Sequence, residues 1–437
     1  MSKRSAAATQ TRRFRRAAPT IYDFERVRNM DLHRRITRLM AGAEAEHRYS
    51  HIAFSGHRGC GKSTELLRVA AQAEREGYLT LYTNVNEQAD QNELSFGDLF
   101  LLMLRLLEAR FRQPPLRPLP EKTVRVVEQW FHDVTRIQAQ ELERALAFSG
   151  EAELGVDTPL AKLLFGLSAL RKSTGTEREE IRARVEKYPS QLRENLNLLL
   201  DDARTIARDA YPRGLLFVLD ALDRYTPDMV SEAVVKNAEL FKGINAHIIF
   251  VLPISLAYDP RGETVEDRFT PVAMPMITIF RREERRAVVE SAIQEMAAAI
   301  FKRVDISLFA DPGLARELAR LSGGCPRDLM RLLQETLLIA DRQIDERAVK
   351  RAASLVRAEM TRKLTRDQYR QLAQVMLDGQ VNPDAAGREL LYRRFVLEYN
   401  GDRWAGVHPL LWDAPEFKAA LEAEKQARGG GIERVGG

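Results

Sequence analysis

The stretch with the clearest chemistry is Gly56-His57-Arg58-Gly59-Cys60-Gly61-Lys62-Ser63-Thr64, a G-x-x-x-x-G-K-S pattern preceded by the short run from His51 to Ser55. Gly56, Gly59 and Gly61 let the backbone turn tightly and aim its N–H groups at phosphate oxygens that a Cβ would crowd. The Lys62 ammonium can reach β- and γ-phosphates, and Ser63 follows with a hydroxyl suited to Mg2+. Cys60 sits near a helix N-terminus, where a thiol can be acidified and modified, which would block phosphate entry. The second chemical element is Asp220-Ala221-Leu222-Asp223. Asp220 ends a continuous apolar run from Gly214, the pattern of a strand buried on both faces. Ligands of an open parallel sheet bind beyond the carboxyl ends of its strands, so Asp220 is expected to face Ser63 across the metal. Asp223 is expected to orient an attacking water; its competing roles are a salt bridge to Arg224 and a cap on the next helix.

These residues need a sheet and a helix to hold them. The sequence predicts strands at residues 52–55, 78–85, 214–220, 247–252 and 272–279, and a helix beginning near Lys62 whose dipole favours phosphate. Ser255, after the fourth strand, is a weak candidate for sensing the γ-phosphate, and Arg268, before the fifth, for reaching a neighbouring subunit's nucleotide. Between the second and third strands, residues 95–112, 121–148, 159–172 and 176–210 read as helices, a long insertion where a short connection would suffice. Helices follow at 282–301, 311–321, 326–341 and 345–361. Ser322-Gly323-Gly324-Cys325 ends one of them and Pro326 starts the next. Arg327 in that first turn opposes the helix dipole, which fits a side chain kept to meet phosphate, or else a salt bridge with Asp328. The last segment reads as two helices, Leu364–Leu377 and Pro383–Arg394, and two short strands around Asn400-Gly401, the pattern of a winged helix.

At 437 residues, with 45% hydrophobic and 30% charged positions, the chain can bury large cores and is expected to hold two or three domains. No apolar stretch approaches the about 18 residues needed to cross a bilayer, and no secretory h-region is visible, so a cytoplasmic location without a membrane partner is expected. Two cysteines, 60 and 325, give neither a disulfide framework nor metal-ligand spacing. Of the net +5, residues 1–38 carry eleven Lys/Arg against three Asp/Glu, or +8, leaving −3 for the rest. Residues 1–20 read as a basic disordered arm able to touch nucleic acid or an acidic partner.

Taken together, the Gly56 to Thr64 loop, the Asp220-Ala221-Leu222-Asp223 strand end, the Gly323-Gly324-Cys325-Pro326-Arg327 turn and the terminal winged helix resemble the AAA+/STAND group of P-loop ATPases, including origin-recognition-type members. The resemblance covers residues 21 to about 415 apart from the insertion. It implies an α/β P-loop sheet with a long helical insertion, a helical lid and a C-terminal winged-helix domain. The expected division is 21–281 for the ATPase domain with the insertion at about 88–211, 282–361 for the lid, 362–425 for the winged helix and 426–437 for a flexible tail. It also implies that Gly56, His57, Arg58, Gly59, Cys60, Gly61, Lys62, Ser63 and Thr64 cradle ATP or ADP, that Ser63 and Asp220 hold Mg2+, and that Pro326 and Arg327 report nucleotide from the lid. Lys62, Asp220 and Asp223 would carry hydrolysis. Many AAA+ motors have Glu directly after the strand-end Asp; here that residue is Ala221. D-A-L-D looks more like STAND switches, so slow turnover is expected, with a protein partner or a homo-oligomer as output. N-K-x-D is absent, which favours adenine. The alternative is a DNA-associated AAA+ ATPase, a loader or regulator using the basic arm and winged helix.

Overall fold

The computed structural model describes residues 25–28, 30–135, 160, 162–164, 176–258, 265–284, 286–399 and 404–429. The basic arm, residues 136–159 and 165–175 of the insertion, and the Asn400-Gly401 turn lie outside them.

Five parallel strands form the sheet: β1 His51–Gly56, β2 Tyr78–Asn84, β3 Gly214–Asp220, β4 His247–Pro253 and β5 Thr270–Ala273, in the order β2-β3-β4-β1-β5. Strands this apolar are stable only when covered on both faces. Along β3, Leu216 and Val218 face one core and Leu215, Phe217 and Leu219 the other. The first core is covered by α1 (Leu32–Ala45) and by α2 (Lys62–Arg75), which follows the phosphate loop. The second is covered by α3 (Phe96–Phe111), α4 (Glu121–Thr135), α5 (Thr176–Glu186) and α6 (Pro189–Ala207). The described part of the insertion is therefore additional core. The helix expected over 176–210 is two, because the chain breaks before Pro189, which starts α6 at a position needing no N–H.

The fifth strand is shorter than the expected 272–279. Pro275 has no N–H for a ladder, and the next amides leave the sheet: Met276 N donates to Glu398 O at 3.0 Å and Ile277 N to Gly324 O at 3.3 Å. This connector leads into α7 (Glu290–Phe301), α8 (Gly313–Leu321), α9 (Pro326–Ile339) and α10 (Glu346–Thr361). The C-terminal region has α11 (Arg366–Asp378), α12 (Ala385–Tyr392), an antiparallel pair β6 (Val396–Glu398) and β7 (Ala405–Val407), and α13 (Pro415–Gly429), which packs on α11. Helix α13 runs past residue 426, where the tail was expected to begin. Lid, C-terminal region and the α1/α2 face of the sheet share one continuous core.

Candidate nucleotide site

The loop after β1 turns with Gly59 at φ +86° and Gly61 at φ +106°, and α2 begins at Lys62 with Gly61 as its N-cap. Gly56 has a different reason to be glycine. A Cβ there would lie 2.5 Å from the Met274 carbonyl oxygen beyond β5, so packing rather than phosphate geometry excludes a side chain.

Lys62 is only 5% exposed, and its Nζ donates to Gly56 O at 2.7 Å and His57 O at 2.9 Å and pairs with Asp223 Oδ2 at 2.8 Å. The pairing with Asp223 follows from the backbone. Ala221 adopts the left-handed φ of +66°, ending β3 at Asp220 and rolling the chain into a 3-10 turn, Leu222–Arg224, that carries Asp223 back toward the loop. Neither competing role holds for Asp223: it pairs with Lys62 rather than Arg224, and Thr226 caps the next helical turn, accepting from Met229 N at 3.3 Å. Asp220 Oδ1 accepts from Ala221 N at 2.6 Å, and Oδ2 accepts from the Tyr82 hydroxyl.

Beyond the loop lies a cleft of about 490 Å3. Gly59, Gly61, Lys62, Ser63 and Thr64 form one wall, Asp220, Ala221, Asp223 and Arg224 another, and Arg58 and Arg327 complete it. Arg327 comes from the first turn of α9, its N–H donating to Gly59 O at 3.3 Å. A Cβ on Gly59 would stand 2.6 Å from Arg327 Cβ, so the lid seats on the loop only because residue 59 is glycine. The expected Arg327–Asp328 salt bridge is not formed: Asp328 takes Arg394 Nη1 at 3.0 Å and His408 Nε2 at 3.4 Å. Pro326 is at N1 of α9 and does not line the cleft.

Two loop residues, His57 and Arg58, also reach the C-terminal region. His57 is buried, with Nε2 accepting from Glu398 N at 2.8 Å; burial, with the Lys62 and Arg394 charges, lowers its pKa to about 3. Arg58 donates from Nε to Asp223 O at 2.7 Å and from Nη2 to Tyr392 Oη at 2.9 Å, with its guanidinium 4.7 Å from that ring's centroid. Cys60 is fully buried, its Sγ 3.8 Å from Met274 O, so the thiol is not open to modification as expected. Ser255 is buried and lies outside the cleft walls.

Sequence reasoning missed Arg28, which donates to Cys60 O, and Tyr82, Tyr392 and Arg394. Only Tyr82 left a trace: alternation along β2 puts Tyr78, Thr80, Tyr82 and Asn84 on one face, ending beside Asp220.

Ser63 and Asp220 are hard oxygen donors that both line the cleft. Among the described residues no cluster of three or more His, Cys, Asp or Glu could hold a metal alone. One hydroxyl and one carboxylate, with phosphate oxygens completing the shell, is a donor set that fits Mg2+.

Strand order, phosphate loop, strand-end acid and the lid seated on the loop agree in one topology. The fold is a five-stranded parallel α/β sheet with a helical C-terminal region and a small antiparallel strand pair. No protein-family model matches the chain, and no curated protein does. Among solved structures it is similar to Cdc6p from Pyrobaculum aerophilum, at 12% identity over 94% of this chain and 97% of that one, with a TM-score of 0.38. It is also similar to the RuvB Holliday junction branch migration motor of Thermotoga maritima, at 11% identity over 90% and 94%, with a TM-score of 0.32. Among the described residues no helix is long and apolar enough to cross a membrane.

Proposed function

We propose that this chain is an ATP-binding, slowly hydrolysing ATPase that works as a conformational switch of the STAND kind. One observation carries the reading: the phosphate loop's own side chains, His57 and Arg58, hold the C-terminal region through Glu398 and Tyr392, while Gly59 O holds the lid. A phosphate entering the loop acts on the residues that set the positions of lid and C-terminal region. A ligand shifts an equilibrium by its differential affinity for the two states, and here the loop and the contacts belong to the same short stretch of chain. In this reading Lys62 and the loop amides bind phosphates, Ser63 and Asp220 hold Mg2+, Arg327 brings a lid cation to the phosphates and Asp223 orients water. Ala221, where motors have Glu, is the reason for slow turnover. The output is a protein partner or a change of assembly.

The test is energy transfer between a dye on α11 and one on α5. ATP is expected to change the transfer in wild type and not in Lys62→Ala, with turnover well below the about 10 per second of a typical enzyme. No ATP response in wild type, or fast unassisted turnover, would count against the switch.

The +8 balance of residues 1–38 favours a second reading, a DNA-associated AAA+ ATPase acting as loader or regulator. It predicts duplex affinity that falls steeply with salt and drops when residues 1–18 are deleted. Absent or salt-indifferent binding rules it out. The switch is preferred because two arginines at the end of the second winged-helix helix are engaged within the chain, Arg393 with Glu389 and Arg394 with Asp328.

A further inference from the structure

Beside Asp220, one of the two expected metal donors, lies a residue that belongs to neither motif. Tyr82 is in register with Val218, so that Asn84, two residues on, is level with Asp220. Its ring packs against the core beneath α2, and its hydroxyl donates to Asp220 Oδ2. Asp220 Oδ1 is held separately by Ala221 N, so the carboxylate is fixed at both oxygens. Burial pushes the phenol's pKa up and the Asp220 hydrogen bond adds to that, so the phenol keeps its proton and donates it.

An ionised carboxylate offers about four lone-pair sites, so two accepted hydrogen bonds leave others free for a cation. With Tyr82 donating to Oδ2 and Ala221 N to Oδ1, the Asp220 carboxylate is held in one orientation. A cation needs a carboxylate that does not rotate away.

We propose that Tyr82 is a positioning residue for Mg2+, holding the Asp220 carboxylate in one orientation so that it presents oxygen lone pairs to the cleft. This rests on the nucleotide reading of the site. Partners that orient metal ligands in this way typically change metal affinity by about 10- to 100-fold when removed.

The experiment is binding of a fluorescent ATP analogue to full-length wild type and Tyr82→Phe, first in EDTA and then across a Mg2+ titration. Phe keeps the packed ring and removes only the hydroxyl. The expected result is unchanged affinity in EDTA and a Mg2+ midpoint raised about tenfold. A midpoint within about twofold of wild type overturns the proposal. Loss of binding in EDTA as well would assign the hydroxyl to the shape of the loop and also overturn it. Failure of wild type itself to bind the analogue would instead remove the nucleotide reading, which separates the two failures.

Discussion

Lys62 and Asp223 form an ion pair that is nearly closed to water, and such a pair is informative mainly when one partner is removed. Any phosphate that takes the Lys62 ammonium competes with Asp223 for it. Asp223→Asn weakens that competition, so nucleotide affinity is expected to rise by severalfold; under the proposed function, in which Asp223 orients water, turnover is expected to fall by about a hundredfold. Equilibrium binding and single-turnover hydrolysis on the same variant check both halves. Equal turnover in variant and wild type would return Asp223 to a purely structural partner of Lys62. The left-handed Ala221 is what makes this pairing available, and it also keeps residue 221 itself buried.

Among elements, the decisive contact is α9 against the stretch that ends α12. Asp328, buried in the first turn of α9, is held well below the usual carboxylate range: burial opposes this, and the His408 hydrogen bond and the Arg394 charge outweigh it. Arg394 takes both carboxylate oxygens, at 3.1 and 3.0 Å, and reaches Arg58 O at 3.4 Å, which ties lid, C-terminal region and phosphate loop at one guanidinium. Arg394 has a φ of +63°, a conformation that costs a non-glycine residue roughly 1–2 kcal/mol and persists because the side chain is so engaged. Arg394→Ala leaves a buried carboxylate without its main partner, and a loss of about 3–5 kcal/mol is expected from denaturant melts. Increased hydrogen exchange at the amides of Arg327 and Glu398 should accompany it. A variant as stable as wild type would show that the lid is held by packing alone.

For the whole molecule, the shared core makes the docking of the C-terminal region part of overall stability, and His57 makes that stability depend on pH. The unfolded chain takes up a proton near 6.5, whereas folded His57 resists it until about 3. Stability is therefore full above about pH 6.5 and falls between there and 3, by about 1.4 kcal/mol per pH unit for this group. His51, lowered by burial to about 4, adds in the same direction. Asp328, held below the ordinary carboxylate range, begins to lose its contribution as pH falls through that range, so it acts below pH 5.5 and not between 7.5 and 5.5. Thermal melts at pH 7.5 and 5.5 are expected to show a larger drop for wild type than for His57→Gln, which keeps an acceptor for Glu398 N. Equal drops would place the proton uptake elsewhere.

The sheet and the phosphate loop were legible because they are local. Two-sided burial writes continuous apolar runs into β3 and β4, and a tight phosphate loop admits only glycines at positions such as 59 and 61. Helix ends at Gly323-Gly324 and Pro326 were readable for the same reason, since backbone conformation selects those residues directly. What β5 does after Ala273 was not readable, because the partners of Met276 and Ile277 come from Glu398 and Gly324, far along the chain. The roles of His57 and Arg58 escaped for the same cause: the motif fixes the backbone around them, while the direction of each side chain is set by what Glu398 and Tyr392 offer. Sequence by itself determined the first four strands and the glycine-rich loop that leads into α2. Only the tertiary structure decided that the loop grips the C-terminal region and lid, because hydrogen-bond partners some 340 residues apart leave no period or spacing in the chain.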